Sequence, residues 1–169
     1  CKETRAHLRI LRDVCGPMQV GFLGIGFHPF ARREDFSWVP KGRYRIMRRY
    51  MPMRGQLGLD MMLRTGTIQA NLDYQSEADM VASFRAALFV SPIVSALFAN
   101  GPMLEGRPTG ASSERMRTWL DTDPDRCGFP EVAFGEDFGY QRWLDWVLDV
   151  PMYFVRRGGE YLDVAGASF

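Results

Sequence analysis

A chain of 169 residues has room for one domain or a large piece of one, and not for two complete globular units. Its 46% apolar and 24% charged residues exclude a disordered chain and require a buried core, and no uninterrupted apolar run marks a membrane span. A formal charge of +1 provides no global positive field for a nucleic-acid backbone, so neither nucleic acid nor a membrane is an expected partner and any anion site has to be local.

Residues 2 to 14 set Leu8, Ile10, Leu11 and Val14 among charges at near-helical spacing, which predicts an amphipathic helix ended by Gly16-Pro17. The run from Val20 to Phe27, with Gly21, Gly24 and Gly26 interspersed, predicts a buried strand that another backbone approaches closely. Its glycines spell GxxGxG, which is not the dinucleotide-binding fingerprint.

Pro40 to Tyr50 predicts a short helix stopped by Pro52, with Tyr44, Met47 and Met51 as an apolar stripe. Lys41, Arg43, Arg45, Arg48 and Arg49 crowd its other side, either as a solvated basic face or as a face turned to anions. Every cationic residue except Lys2 and Lys41 is an arginine, which fits forked recognition of carboxylates and phosphates and fits a GC-rich genome equally well.

Asp60 to Tyr74 alternates with period two and predicts one long strand. One face carries Met62, Arg64, Gly66, Ile68, Ala70 and Leu72, and the other carries Thr65, Thr67, Gln69, Asn71 and Asp73. The second face is either solvated or a pocket wall, and short uncharged polar groups suit a wall that holds substrate or metal better than Lys and Glu do.

Ser76 with Asp79 three residues later predicts a capped helix start, interrupted at Pro92, with a second helical piece reaching Ala99. A breaker-rich loop follows through Gly110, then the charged stretch from Ser112 to Arg126. Asp121, Asp123 and Asp125 lack the Gly and Glu positions of a calcium loop, so they are read as carboxylates that orient Arg115, Arg117 and Arg126. Glu136 to Val150 predicts a helix with Phe138, Trp143, Trp146 and Val147 inward, and Met152 to Val164 a hairpin turning at Gly158-Gly159. Together these elements predict an α+β fold with a mainly antiparallel sheet and helices on one face. His7 and His28 stand apart from any nucleophile, and Cys127 reads as a small half-buried residue.

The strings GFLGIGFHP, RRED with WVPKGRY, IMRRYMP, LGLDMMLRT, IQANLD, SEADM, ALFAN, TDPDR and DVPMYFV, in that order, closely resemble the plant-type glutamate-cysteine ligases that many bacteria share. The resemblance runs from Cys1 to the end, and residues 1–169 then read as a partial catalytic domain of the glutamine-synthetase-like carboxylate-amine ligases, truncated at both ends. It implies ATP-dependent joining of the L-glutamate γ-carboxylate to the L-cysteine amine through an acyl phosphate, with ATP and Mg²⁺ as cofactors and a homodimer as the assembly. The isolated segment is then expected to be inactive, because the family's Glu-rich, metal-binding strand has no match here.

By the same resemblance, Arg43 and Arg115 fall on active-site arginines, and Gln69, Asn71, Trp119 and Arg126 fall on substrate-binding positions, while Thr65 and Thr67, on the same strand face as Gln69 and Asn71, are read as pocket lining. Gln69, standing where distant relatives carry His, is the candidate metal ligand. Val164 occupies the position of a regulatory plant cysteine, and Cys1 matches a second redox cysteine whose partner lies beyond Phe169. A cytoplasmic location in a bacterium, or a plastid in a plant, follows from the family and from three cysteines without a CxxC pair. These residues are expected to converge on one anion-binding cavity. The rival readings are a related ligase with another amine acceptor and a non-catalytic module that holds acidic partners.

Overall fold

The computed structural model describes residues 2–169 and is mixed α+β, with six α-helices and two small antiparallel sheets among those residues. Helix α1 (Lys2–Cys15) forms as its spacing requires, but none of its residues is buried. The glycine-rich run that follows is not the expected buried strand. Phe22 and Leu23 are exposed and only Phe27 is buried, where it bridges Thr65. Glycines cost this run backbone entropy, and it meets other segments of the protein only toward its end, at Gly24 to Phe27.

Helix α2 (Gly42–Tyr50) forms where predicted but buries Ile46 and Tyr50; of the predicted stripe only Met51 is buried, in the 3₁₀ turn at Met51–Met53 that includes Pro52, while Tyr44 and Met47 are half-buried. Helix α3 (Gly58–Arg64) overturns the first half of the predicted long strand. Met, Leu and Arg are good helix formers, and Asp60 and Arg64 pair at i,i+4 with 3.1 Å between Arg64 Nη1 and Asp60 Oδ1. The period-two pattern therefore spans two different structures that join at Thr65. Residues 66 to 74 lie in no strand, and Ile68 is 99% exposed, so the expected two-faced sheet surface is not formed.

Helix α4 (Glu77–Leu97) starts where predicted, with Ser76 Oγ accepting from the Asp79 N–H at 3.2 Å. It does not break at Pro92. One lost donor leaves the helix continuous, and beside the gap the Ser91 hydroxyl bonds the Ala87 carbonyl at 2.7 Å. Among the described residues α4 is the one helix long and apolar enough to cross a membrane. Arg85 nevertheless ties it to the protein, donating to the carbonyls of Ala133 at 2.8 Å and Gly135 at 2.6 Å. Val81, Phe84 and Leu88 pack there against Ala133, Phe138 and Trp143.

Strands β1 (Met103–Leu104) and β2 (Arg107–Pro108) form a minimal hairpin whose turn places Glu105 and Gly106 at positive φ. Helix α5 (Glu114–Leu120) is capped by Ser113, and α6 (Tyr140–Asp149) carries the stacked pair Trp143 and Trp146, with Val147 more exposed than expected. The predicted C-terminal hairpin is present as β3 (Phe154–Arg157) and β4 (Glu160–Asp163), with Gly158 and Gly159 at φ 59° and 86° as its turn requires. It packs on α2, where Arg49 pairs with Asp163.

Among the described residues the buried apolar set is small, consisting of Phe27, Ile46, Tyr50, Met51, Met80, Ala133 and Phe138. Large apolar side chains such as Phe89, Leu97 and Phe98 are more than 70% exposed, a larger uncovered surface than the composition predicts.

Candidate functional site

The meeting of the glycine-rich run with the end of α3 gathers part of the predicted site. The His28 N–H donates to the Arg64 carbonyl at 2.8 Å and the Gly66 N–H to the Gly26 carbonyl at 3.0 Å, which holds the two segments side by side. Asn100 fixes the far side, donating to the Gly24 carbonyl at 2.9 Å and accepting from the Gly26 N–H at 3.1 Å. A Cβ at Gly26 would stand 3.2 Å from Asn100 Oδ1 and 3.3 Å from Arg115 Cδ, so glycine here makes room for the arginine.

Arg115, in the first turn of α5, lies over this junction. Its Nε donates to the Gly66 carbonyl at 3.0 Å and its Nη2 to Thr67 Oγ1 at 3.0 Å. The guanidinium sits 5.7 Å from the Trp119 ring centroid, and the buried Trp119 indole N–H has no partner. One edge of the guanidinium is thus held by the scaffold, and its Nη1 edge remains for an anion. Arg115, Thr67 and Trp119 are brought together as the sequence predicts. Gly26, Asn100 and the Gly66 carbonyl also build the cluster and were not among the candidates, although three spaced glycines beside a predicted pairing partner were a signal of close approach.

The other candidates lie differently. Thr65 turns its hydroxyl to the Met61 carbonyl at 2.7 Å, closing its own helix. Gln69 donates to Asn71 Oδ1 at 2.6 Å within the exposed segment. Arg43 stands on α2 with its guanidinium 5.4 Å from the Tyr44 ring.

Arg126 belongs to a cluster around Asp123, which is 1% exposed. Arg126 Nη1 donates to Asp123 Oδ2 at 2.8 Å and lies 3.8 Å from the Tyr153 ring centroid, and the Tyr153 hydroxyl donates to the same carboxylate. Burial first, and then the Asp123 carboxylate, push the Tyr153 phenol well above its usual range. Burial likewise raises the Cys127 thiol, in keeping with an unreactive half-buried cysteine. Of the three arginines expected on these aspartates only Arg126 is held there. Arg54 takes Asp125 at 2.5 Å, Arg117 pairs with Glu114, and Asp121 accepts from the Gln56 N–H at 3.1 Å.

Two cavities, of about 860 and 330 Å³, are lined by none of Arg43, Arg115, Gln69 and Asn71, so neither is the expected common cavity. Arg126 reaches the larger one, beside Trp143 and Trp146. The physical reason is the missing sheet: with no strand beside them, residues 68 to 74 lie exposed, and Gln69 and Asn71 bond each other rather than lining a pocket with Arg115. Among the described residues no group of three His, Cys, Asp or Glu side chains could hold a metal ion, so this segment does not by itself fit a Mg²⁺ site. Cys1, the predicted redox cysteine, lies outside the described residues.

Comparison with known proteins gives a consistent family. The model of the family described as Glutamate-cysteine ligase family 2 matches residues 1–167. Proteins named chloroplastic glutamate–cysteine ligase from Brassica juncea and Arabidopsis thaliana are each 53% identical over all 169 residues, and one from Medicago truncatula is 51% identical. The chain spans about a third of their length, at 33%, 32% and 33%.

Proposed function

We propose, for a chain that belongs to the glutamate-cysteine ligase family 2, that the protein containing it joins the γ-carboxylate of L-glutamate to the amine of L-cysteine, using ATP and Mg²⁺, the first step of glutathione biosynthesis. The observation that carries this reading is the 53% identity to named glutamate–cysteine ligases without loss of any part of the chain. The large uncovered apolar surface supports the view that this segment is one part of a larger catalytic fold. A homodimer belongs to the same reading, and the relatives' chloroplastic names favour a plastid over the cytoplasm.

In this chemistry ATP supplies the phosphoryl group that turns the γ-carboxylate into an acyl phosphate, and the amine then displaces phosphate. Negative charge accumulates on carboxylate and phosphoryl oxygens, and fixed guanidinium donors stabilise it without reorganisation. Arg115 is the group we assign to that task. Gly66 and Thr67 orient it, Trp119 lies under it, and its Nη1 edge meets the anion. Arg43, on α2, is the second cation assigned to a substrate carboxylate, and Gln69 and Asn71 are assigned to substrate hydrogen bonding. The test is phosphate release by the full-length protein with ATP, Mg²⁺ and L-glutamate, comparing L-cysteine with other amino acids as acceptor. Strong preference for cysteine is expected, and equal rates with unrelated amines would contradict the proposed acceptor.

A further inference from the structure

Arg64, the last residue of α3, is a costly side chain for its place. It is 5% exposed, beside Asp60 at 4% and Phe27 at 3%. Its Nη1 donates to Asp60 Oδ1 at 3.1 Å and to Glu105 Oε1 at 3.4 Å, while Nε and Nη2 are buried without a partner. Apolar side chains of similar volume commonly match or exceed the stability of a buried ion pair, and unused buried donors tilt the comparison further against the arginine. Stability is therefore a poor account of Arg64, and the geometry it imposes is a better one.

What it fixes is the way the chain leaves α3. The Arg64 guanidinium lies over the Phe27 ring, 4.8 Å from its centroid, and Phe27 bridges Thr65, the residue that follows Arg64. One residue thus grips the glycine-rich segment twice, since its backbone carbonyl also accepts from the His28 N–H at 2.8 Å. Asp60, one turn earlier on α3, holds the head group in place and is itself held by Arg33 through its other oxygen. Glu105 ties the same head group to the turn between β1 and β2. Charges buried in this way are screened little by salt, so the clamp stays closed under ordinary conditions.

The clamped junction is the one that carries Arg115. The Gly66 carbonyl and the Thr67 hydroxyl, just beyond Arg64, each receive an Arg115 donor at 3.0 Å, and Gly26, just before Phe27, leaves room for the Arg115 stem. We propose that Arg64 is a positioning residue for Arg115: its grip on Phe27, Asp60 and Glu105 sets where the Gly66 carbonyl and the Thr67 hydroxyl stand, and those two groups aim the Arg115 guanidinium. Arg64 meets no substrate in this scheme and acts only through the backbone between the two arginines. The inference rests on the role proposed above for Arg115.

The test is a double-mutant cycle in the full-length protein. Arg64→Lys keeps the charge beside Asp60 and loses the planar head group over Phe27. It should lower kcat for ligation by about tenfold or more, within the roughly hundredfold that a misplacement of about 1 Å can cause, with a smaller change in KM for L-glutamate. Added to Arg115→Ala, the same substitution should change kcat by less than about twofold, because the group it aims is already gone. An arginine that only supports the fold would lower kcat by the same factor in both backgrounds, and that additive result would overturn the proposal. An unchanged kcat in folded Arg64→Lys would overturn it as well. Should Arg64→Lys not fold, Phe27→Leu, which removes the ring and keeps an apolar residue, takes its place in the cycle with the same expected outcomes. Amide exchange read by mass spectrometry separates this inference from the ligase reading. Arg64→Lys should speed exchange over residues 65–67 and leave α4 unchanged, whether or not the protein ligates anything. A wild-type protein without ligase activity contradicts the proposed function alone, whereas unchanged exchange over residues 65–67 shows that Arg64 does not hold the junction.

Discussion

Arg115 and Thr67 are 48 residues apart in sequence and meet at 3.0 Å, the guanidinium Nη2 donating to the threonine hydroxyl. That bond, with the one to the Gly66 carbonyl, fixes the orientation of an arginine that is otherwise on a long flexible stem. An anion arriving at the free edge then meets donors already in place, which is how preorganised charge accelerates phosphoryl and acyl transfer.

Thr67→Val keeps the shape of the side chain and removes the acceptor. In the full-length enzyme it should lower kcat roughly tenfold, since a hydrogen bond to a charged group contributes about 1.5–3 kcal/mol and one of the two orienting bonds remains. Steady-state kinetics with circular dichroism as a folding control measures this. The drop should fall in kcat more than in KM for glutamate, because orientation matters most as charge develops.

Gly26→Ala places a methyl group 3.3 Å from Arg115 Cδ and 3.2 Å from Asn100 Oδ1. The backbone here tolerates a side chain, so the strain falls on those two neighbours. We expect a loss of activity with a stability change of about 1–3 kcal/mol at most, the usual cost of overpacking. Urea denaturation together with turnover separates the two effects. Asn100→Ala, which frees the Gly24–Gly26 segment rather than crowding it, should also reduce turnover.

Asp123 holds both Arg126 and Tyr153 from a fully buried position. Asp123→Ala leaves a partly buried arginine without its partner and should cost about 3–5 kcal/mol. Tyr153→Phe removes one donor and keeps the Arg126 pair and the ring contact with Tyr50, so a loss of about 1.5–3 kcal/mol is expected. Chemical denaturation of the two variants should preserve that order.

The raised phenol of Tyr153 sets a pH dependence with a definite sign. In the unfolded chain tyrosine ionises near pH 10, and in the fold burial and Asp123 hold it protonated to higher pH. The unfolded state therefore binds fewer protons than the folded one above about pH 10, and stability falls as pH rises through that window. Below pH 10 the contribution is fully present. Tyr153→Phe should show a flatter stability profile above pH 10 than the wild-type protein, measured by denaturant midpoints at pH 9 to 11.

Sequence signals were reliable where a single local cause decides structure. The Ser76 cap, the α2 helix stopping before Pro52 and the Gly158-Gly159 turn all formed as read. Asp60 to Tyr74 failed because alternation counts side chains and takes no account of which neighbours exist. Asp60 and Arg64 prefer the i,i+4 spacing of a helix, and the residues beyond Thr65 find no strand to pair with. Pro92 misled for the opposite reason, since one missing donor is a small loss in a helix of 21 residues. Arg115 and Trp119 were legible through the family resemblance and Thr67 through the alternation, whereas the charge cluster around Arg64 was not. An arginine on the otherwise apolar face of the presumed strand was the clue, and its partner Glu105 is too distant in sequence to be paired with it by pattern.

The most direct measurement is the turnover of full-length Arg115→Ala with ATP, Mg²⁺, L-glutamate and L-cysteine. A folded variant should lose roughly 10²–10³ in kcat, about 2.7–4 kcal/mol, the range for removing one preorganised donor at a developing anion, with Arg115→Lys recovering part of it. A folded Arg115→Ala enzyme whose kcat equals that of the wild type would contradict the assignment of this arginine to the reacting anion.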